Sequence, residues 1–235
     1  MYPKGILFDL DDTIISYSPV AEPLWRKLCR EFTFRHDSCD AEVLYETLME
    51  ISNGYWSDAE RHRMGRLNLE AARREVMDLV SARLGLDPAE ARSMADAFSV
   101  QREEAVHIFD KARETLEHLN QRGVKLAMMT NGHSSKQRAK INRFGLEKYF
   151  SAILVEGEMG FGKPDPAVYH RALKALALSP EEVWAVGDNL EWDVAGPQKL
   201  GIFGIWNDFA NTGLPEDSDI IPDRIINTIY DLVLD

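Results

Sequence analysis

Short apolar runs alternate with helical stretches along much of this chain, and this alternation constrains the fold more than any other feature. The first run, GILFDL, occupies residues 5–10 and leads into the acidic turn DDT. Similar runs recur at 124–130, 152–155, 182–188 and 202–206. Three of the helical stretches between them end in glycine, which is typical of a helix C-terminus: Gly123, Gly145 and Gly201. The alternation predicts an α/β fold with a Rossmann-like, doubly wound parallel sheet covered on both faces.

Residues 16–103 interrupt this rhythm. Apolar positions recur there at helical spacing, and no run suggests a strand. We therefore predict a core domain made of residues 1–15 and 104–235, with an all-helical domain, 16–103, inserted after the first strand. The expected junctions lie at 16–21 and 103–109.

Composition excludes several classes of partner. The formal net charge is −12 and the pI is about 5.0, so the field of the protein would repel nucleic acids and anionic membranes. No apolar stretch approaches the roughly 20 residues that span a bilayer, and the N-terminus lacks the apolar region of a signal peptide. Cys29 and Cys39 belong to no metal or redox motif, so packing roles are expected for both. These features favour a cytoplasmic protein, either monomer or homodimer.

Polar residues that could bind a ligand or take part in catalysis follow the apolar runs. In a parallel sheet, ligands bind beyond the carboxyl ends of the strands, so these residues are the candidate site. They are Asp9, Asp11, Thr130, Asn131, Lys163, Asp188 and Asp193. Any single aspartate after a strand can be a helix cap. Several carboxylates at one edge, however, would repel one another unless a hard cation such as Mg²⁺ neutralised them.

The ordered set of DLDDT at 9–13, Thr130-Asn131, Lys163-Pro164 and Gly187-Asp188 resembles the haloacid dehalogenase superfamily of hydrolases, in its branch with a helical cap. The resemblance implies that Asp9 is a nucleophile that forms an aspartyl-phosphate. It also implies that Asp11 is the general acid and base.

The same resemblance assigns the other residues. Mg²⁺ would be held by the carboxylates of Asp9 and Asp188 and by the backbone carbonyl of Asp11. Asp193 would orient these groups without binding the ion. Catalytic roles are implied for Thr130 and Lys163, which would bind the substrate phosphate together with the backbone amide of Asn131. The inserted helical domain would act as a cap that selects the substrate.

These features predict a magnesium-dependent phosphatase acting on a small phosphorylated metabolite. Asp11 favours phosphate over halide as the leaving group, because a departing halide needs no proton. A phosphomutase or a haloacid dehalogenase of the same superfamily stays open as an alternative. A phospho-receiver module is disfavoured, because its acidic and acceptor residues follow a different order along the chain. A non-catalytic binding protein is disfavoured too, since every group that the chemistry requires is present.

Overall fold

A computed structural model describes residues 2–36 and 39–234. The chain divides into two compact units. The core unit contains the residues up to Ser16 and those from His107 onward, and the helical unit spans Tyr17–Val106.

A parallel sheet forms the centre of the core unit, as the alternating runs predict. The strands are β1 (Gly5–Phe8), β2 (Ile15–Ser16), β3 (His107–Ile108), β4 (Lys125–Thr130), β5 (Ala152–Val155), β6 (Val183–Gly187), β7 (Phe203–Asn207) and β8 (Arg224–Ile226). The main sheet has the order β5-β4-β1-β6-β7-β8, and all of its pairings are parallel. Strands β2 and β3 form a small antiparallel ribbon. The predicted α/β fold is confirmed, with β8 as an unpredicted edge strand.

The helical unit contains helices separated by short turns. They are α1 (Ala21–His36), α2 (Ala41–Ser57), α3 (Ala59–Gly65), α4 (Leu69–Leu84) and α5 (Pro88–Ala105). Aspartate or asparagine side chains accept hydrogen bonds from the first-turn amides of α2 to α5, which fixes where these helices begin. Their apolar faces share one core, in which Trp25 stacks on Phe98 with ring centroids 3.8 Å apart. Cys29 is fully buried in this core.

The helices of the core unit cover the sheet. They are α6 (Ala112–Gln121), α7 (Ser134–Arg143), α8 (Glu156–Met159), α9 (Pro166–Leu176) and α10 (Gly196–Gln198). A π-helical turn over Leu190–Ala195 precedes α10, so the helical segment after β6 starts soon after that strand ends. The side chain of Asn189 causes this early start, because it accepts hydrogen bonds from the amides of Glu191 and Trp192.

Strand β1 lies in the middle of the sheet and is buried along its whole length. Leu7 pairs in register with Ala127 on β4 and Ala185 on β6, and α9 packs against this layer through Tyr169 and Leu173. The first crossover leads to β4 on one side of β1, and later ones lead to β6 on the other side. The carboxyl end of β1 therefore lies where the strand order reverses, which is where α/β sheets bind ligands. Across the residues that the structure describes, we find no helix suited in length and apolarity to crossing a membrane.

Candidate active site at the carboxyl end of the sheet

The residues predicted for the site come from the ends of neighbouring strands. Asp9 directly follows β1, Thr130 is the last residue of β4, and Asp188 directly follows β6. Strand β1 pairs with both β4 and β6, so the three strand ends are adjacent. The sheet thus gathers these side chains at one edge, as expected from the parallel topology.

Lys163 forms the centre of a buried ion-pair network. Its ammonium Nζ lies 2.6 Å from Oδ1 of Asp9 and 2.7 Å from Oδ1 of Asp193, and the residue is only 1% exposed. Burial disfavours the charged lysine, but the two carboxylates outweigh this effect and raise the pKa of Lys163 above its ordinary value. Lys163 is therefore a fixed positive charge beside Asp9.

Asp193 reaches Lys163 by passing over a glycine. A Cβ atom placed on Gly187 would lie 2.2 Å from Cγ of Asp193, so no other residue fits at this end of β6 without displacing that carboxylate. The second oxygen of Asp193 accepts a hydrogen bond from the backbone amide of Asn189 at 3.2 Å. Both carboxylate oxygens of Asp193 are thus engaged, one by Lys163 and one by the amide of Asn189.

Burial and neighbouring carboxylates raise the pKa values of Asp9 and Asp188, so their charged forms are disfavoured. Burial raises the pKa of Asp9 to about 7, with Lys163 opposing the rise and Asp193 and Asp11 adding to it. Burial also raises the pKa of Asp188 to about 9, and the charges of Asp9 and Asp193 contribute. A cation between the two carboxylates would remove this penalty.

The donor set fits a hard divalent cation. Among the described residues, no group of three or more His, Cys, Asp or Glu side chains has the arrangement of a metal site. The expected Mg²⁺ shell does not need one, because it uses the carboxylates of Asp9 and Asp188 with the backbone carbonyl of Asp11. Mg²⁺ commonly binds one or two carboxylates and completes its octahedron with water and substrate oxygens. The carboxylates of Asp9 and Asp188, at the ends of adjacent strands, match this requirement.

The loop after β1 turns back sharply within a few residues. Asp12 adopts a left-handed conformation with φ of 60°, and its amide donates to the carbonyl of Ile15 at 2.7 Å. Asn207, at the end of β7, donates from Nδ2 to the carbonyl of Asp12 at 3.0 Å. Sequence reasoning did not identify Asn207, although its place at a strand end is the signal that would have indicated it.

Asp11 is held by two residues of α7 that sequence reasoning also missed. Nζ of Lys140 lies 2.9 and 2.8 Å from the two carboxylate oxygens of Asp11. Nε2 of Gln137 donates to Oδ2 of Asp11 at 3.0 Å. Gln137 and Lys140 are three residues apart on one helix face, immediately after the Thr130 loop, and this spacing is the available sequence signal.

The side chain of Asn131 bonds to the loop that carries Lys163. Its side chain donates to the carbonyl of Lys163 at 2.7 Å and accepts from the amide of Lys163 at 2.8 Å. This reciprocal pair ties the loop after β4 to the loop that carries Lys163. The predicted contact between phosphate and the backbone amide of Asn131 stays a prediction.

Comparison with known proteins identifies the family of this chain. A family model described as haloacid dehalogenase-like hydrolase matches residues 3–201. A phosphoserine phosphatase of Thermus thermophilus is 34% identical, with 98% of each chain covered. A glyceraldehyde 3-phosphate phosphatase of Methanopyrus kandleri is 29% identical, over 98% of this chain and 95% of the relative.

A solved structure of a 2-haloacid dehalogenase from Pseudomonas syringae is also similar. It is 28% identical, with a TM-score of 0.62, and the alignment covers 99% of this chain and 97% of that chain. The family model and the phosphatase relatives both extend over most of the chain. The protein belongs to the haloacid dehalogenase-like hydrolases and is a phosphoric monoester hydrolase of that family.

Proposed function

We propose that this enzyme is a magnesium-dependent phosphatase that hydrolyses a small phosphorylated metabolite through an aspartyl-phosphate at Asp9. The observation that carries the proposal is the contact of Asp9 with the buried ammonium of Lys163, 2.6 Å away, at the switch point of the sheet. A carboxylate beside a fixed positive charge can approach an anionic phosphoryl group without prohibitive repulsion.

In the first step, a carboxylate oxygen of Asp9 attacks phosphorus and forms a new P–O bond. The ester P–O bond breaks, and its electron pair goes to the departing alkoxide oxygen. The carboxyl group of Asp11 gives that oxygen a proton, so the leaving group departs as an alcohol. Lys163 offsets the negative charge that builds up between Asp9 and the phosphoryl group.

In the second step, the carboxylate of Asp11 takes a proton from a water molecule. The water oxygen attacks phosphorus, and the bond between phosphorus and Asp9 breaks. Inorganic phosphate leaves, and both aspartates return to their starting protonation states.

Mg²⁺ is the proposed cofactor, held by Asp9, Asp188 and the backbone carbonyl of Asp11. When bound, it supplies charge neutralisation and alignment of the phosphoryl group. Asp193 would not bind the ion directly, because Lys163 and the amide of Asn189 engage its oxygens. Its proposed role is to orient Lys163.

Thr130 and Lys163 are proposed to bind the substrate phosphate, together with the backbone amide of Asn131. Nε2 of Gln137 donates to the hydroxyl oxygen of Thr130. That oxygen therefore acts as an acceptor toward Gln137, and its own hydrogen stays available to a phosphate oxygen.

The substrate is proposed to be a small phosphomonoester. The relatives from Thermus thermophilus and Methanopyrus kandleri carry the names of phosphatases for phosphoserine and glyceraldehyde 3-phosphate. Both compounds place the phosphate on a primary carbon of a three-carbon skeleton, so esters of this size are the first candidates.

The test is phosphate release from a panel of such esters and a generic aryl phosphate, with Mg²⁺ and with EDTA. We expect release that stops on chelation and returns when Mg²⁺ is added. Equal release in EDTA would contradict the proposed cofactor. Isomerisation of a sugar phosphate without release would support the mutase alternative instead, and halide release from a 2-haloacid would support the dehalogenase.

A further inference from the structure

The side chain of Asp11 is fixed from outside its own loop, by α7. Both of its oxygens lie within 2.9 Å of the Lys140 ammonium, and Gln137 donates to one of them at 3.0 Å. The Lys140 side chain is only 4% exposed, whereas the side chain of Asp11 is 25% exposed. The lysine is therefore buried on the side of Asp11 away from solvent, and the carboxylate keeps an accessible face.

Gln137 links this carboxylate to the proposed phosphate-binding residue. Its Nε2 contacts Oδ2 of Asp11, the hydroxyl of Thr130 and the carbonyl of Asn131. A carboxylate and a carbonyl accept hydrogen bonds, so the amide nitrogen is the atom that must face them. One buried amide thus sets the position of the proposed acid relative to the residue that would hold the phosphoryl group.

Burying an ammonium group costs free energy unless ion pairs and hydrogen bonds compensate for the lost water. A lysine that served only to stabilise α7 would avoid this free-energy cost on the exposed face of that helix. Here the buried charge is directed at the one group that must meet the leaving-group oxygen. Catalytic groups need second residues that lock their orientation, and a misplacement of about 1 Å can cost about 100-fold in rate.

We infer that Gln137 and Lys140 are positioning residues that hold the carboxyl of Asp11 toward the leaving-group oxygen. This inference rests on the proposed function, because it assumes that Asp11 protonates the leaving group. Lys140 acts through Asp11, whereas Gln137 acts through both Asp11 and Thr130.

Leaving-group dependence provides a readout that a purely structural role would not change. An alkyl phosphate needs a proton on its leaving oxygen, whereas an aryl phosphate with an acidic phenol departs with little help. The value of kcat/KM reports the step in which Asp9 is phosphorylated, so it isolates the proton donation. Loss of positioning should therefore affect alkyl esters selectively.

The experiment measures kcat/KM for glycerol phosphate and p-nitrophenyl phosphate in the full-length enzyme with Mg²⁺. Lys140→Met should lower the value for the alkyl ester by about 100-fold and that for the aryl ester by less than about 10-fold. Lys140→Arg should restore most of the alkyl activity, because it returns a cation to Asp11. The matched control is Lys199→Met, at an exposed lysine, which should leave both values unchanged.

Gln137→Leu provides a second test that keeps the ion pair between Lys140 and Asp11. It should show the same selective loss and also raise KM for both esters, because Thr130 loses its partner. The inference would be overturned if kcat/KM fell equally for both esters, or if Lys140→Met and Gln137→Leu both kept the wild-type kcat/KM for the alkyl ester. Either result would leave the proposed function intact. Wild-type enzyme that releases phosphate from none of the esters in the panel would instead overturn the proposed function, and the inference with it.

Discussion

Replacing Lys163 with methionine would test the electrostatics of the site apart from catalysis. Methionine keeps most of the buried volume but removes the ammonium that contacts Asp9 and Asp193 at 2.6 and 2.7 Å. Two buried carboxylates would then face each other without a counter-charge. Breaking a buried ion pair by removing one partner costs about 3–5 kcal/mol. In a chain of this size, that cost corresponds to a fall in Tm of about 6–20 °C.

The effect should depend on pH in a defined direction. The pKa of Lys163 is raised, so its contribution to stability is fully present below its ordinary pKa and is lost only in strong alkali. The pKa of Asp9 is already about 7 and would rise further without the lysine. The deficit of the variant should therefore be largest near about pH 8 and shrink toward about pH 5, as Asp9 takes up a proton.

The assay is urea-induced unfolding in EDTA at both pH values, for wild type, Lys163→Met and the exposed control Lys199→Met. The control should stay within about 0.5 kcal/mol of wild type. Adding Asp193→Asn to Lys163→Met should recover part of the loss, because one unpaired carboxylate is removed. A Lys163→Met free energy of unfolding within about 1 kcal/mol of wild type at about pH 8 would refute this reasoning.

Three further predictions concern the metal, the end of β6 and the proton donor. Because the pKa of Asp188 is raised to about 9, Asp188→Asn should stabilise the metal-free protein near neutral pH. Mg²⁺ at about 100 times its Kd should stabilise wild type against unfolding by about 2.7 kcal/mol, and Asp188→Asn should lose this stabilisation. A thermal shift as large as that of wild type would argue against Asp188 as a ligand. Gly187→Ala should lower kcat/KM by about 100-fold, because the added Cβ would displace Asp193. The control Gly54→Ala should leave kcat/KM unchanged, since no atom lies within 4 Å of the added Cβ. Equal activity of the two variants would contradict this prediction. Asp11→Asn should retain more activity toward aryl than alkyl phosphates in the same assay, and uniform loss would argue against a role in leaving-group protonation.

The sequence predicted the core of the sheet well because each central strand is a continuous apolar run. Burial on both faces leaves that pattern in any parallel strand. The same rule placed Asp9, Thr130 and Asp188 at one edge, since the carboxyl ends of neighbouring parallel strands must be adjacent. Strand β8 was missed because Arg224–Ile226 is short and only its last residue is buried.

The support for Asp11 could not be predicted in the same way. Gln137 and Lys140 belong to the stretch SSKQRAKINR, whose polar residues are typical of a solvated helix surface. Periodicity shows that the two residues share a face, but it does not show which way that face points. Packing decides this, because Ile141 on the same side is fully buried and brings both polar neighbours inward with it.

The central claim is that Asp9 is the nucleophile. The most direct test is to quench the enzyme with acid during turnover of its best phosphate ester and to analyse its peptides by mass spectrometry. We expect one phosphoryl group on the peptide that contains Asp9 in wild type, and neither that adduct nor phosphate release in Asp9→Asn. Full turnover by Asp9→Asn, or a phosphoryl group on another residue, would contradict the account.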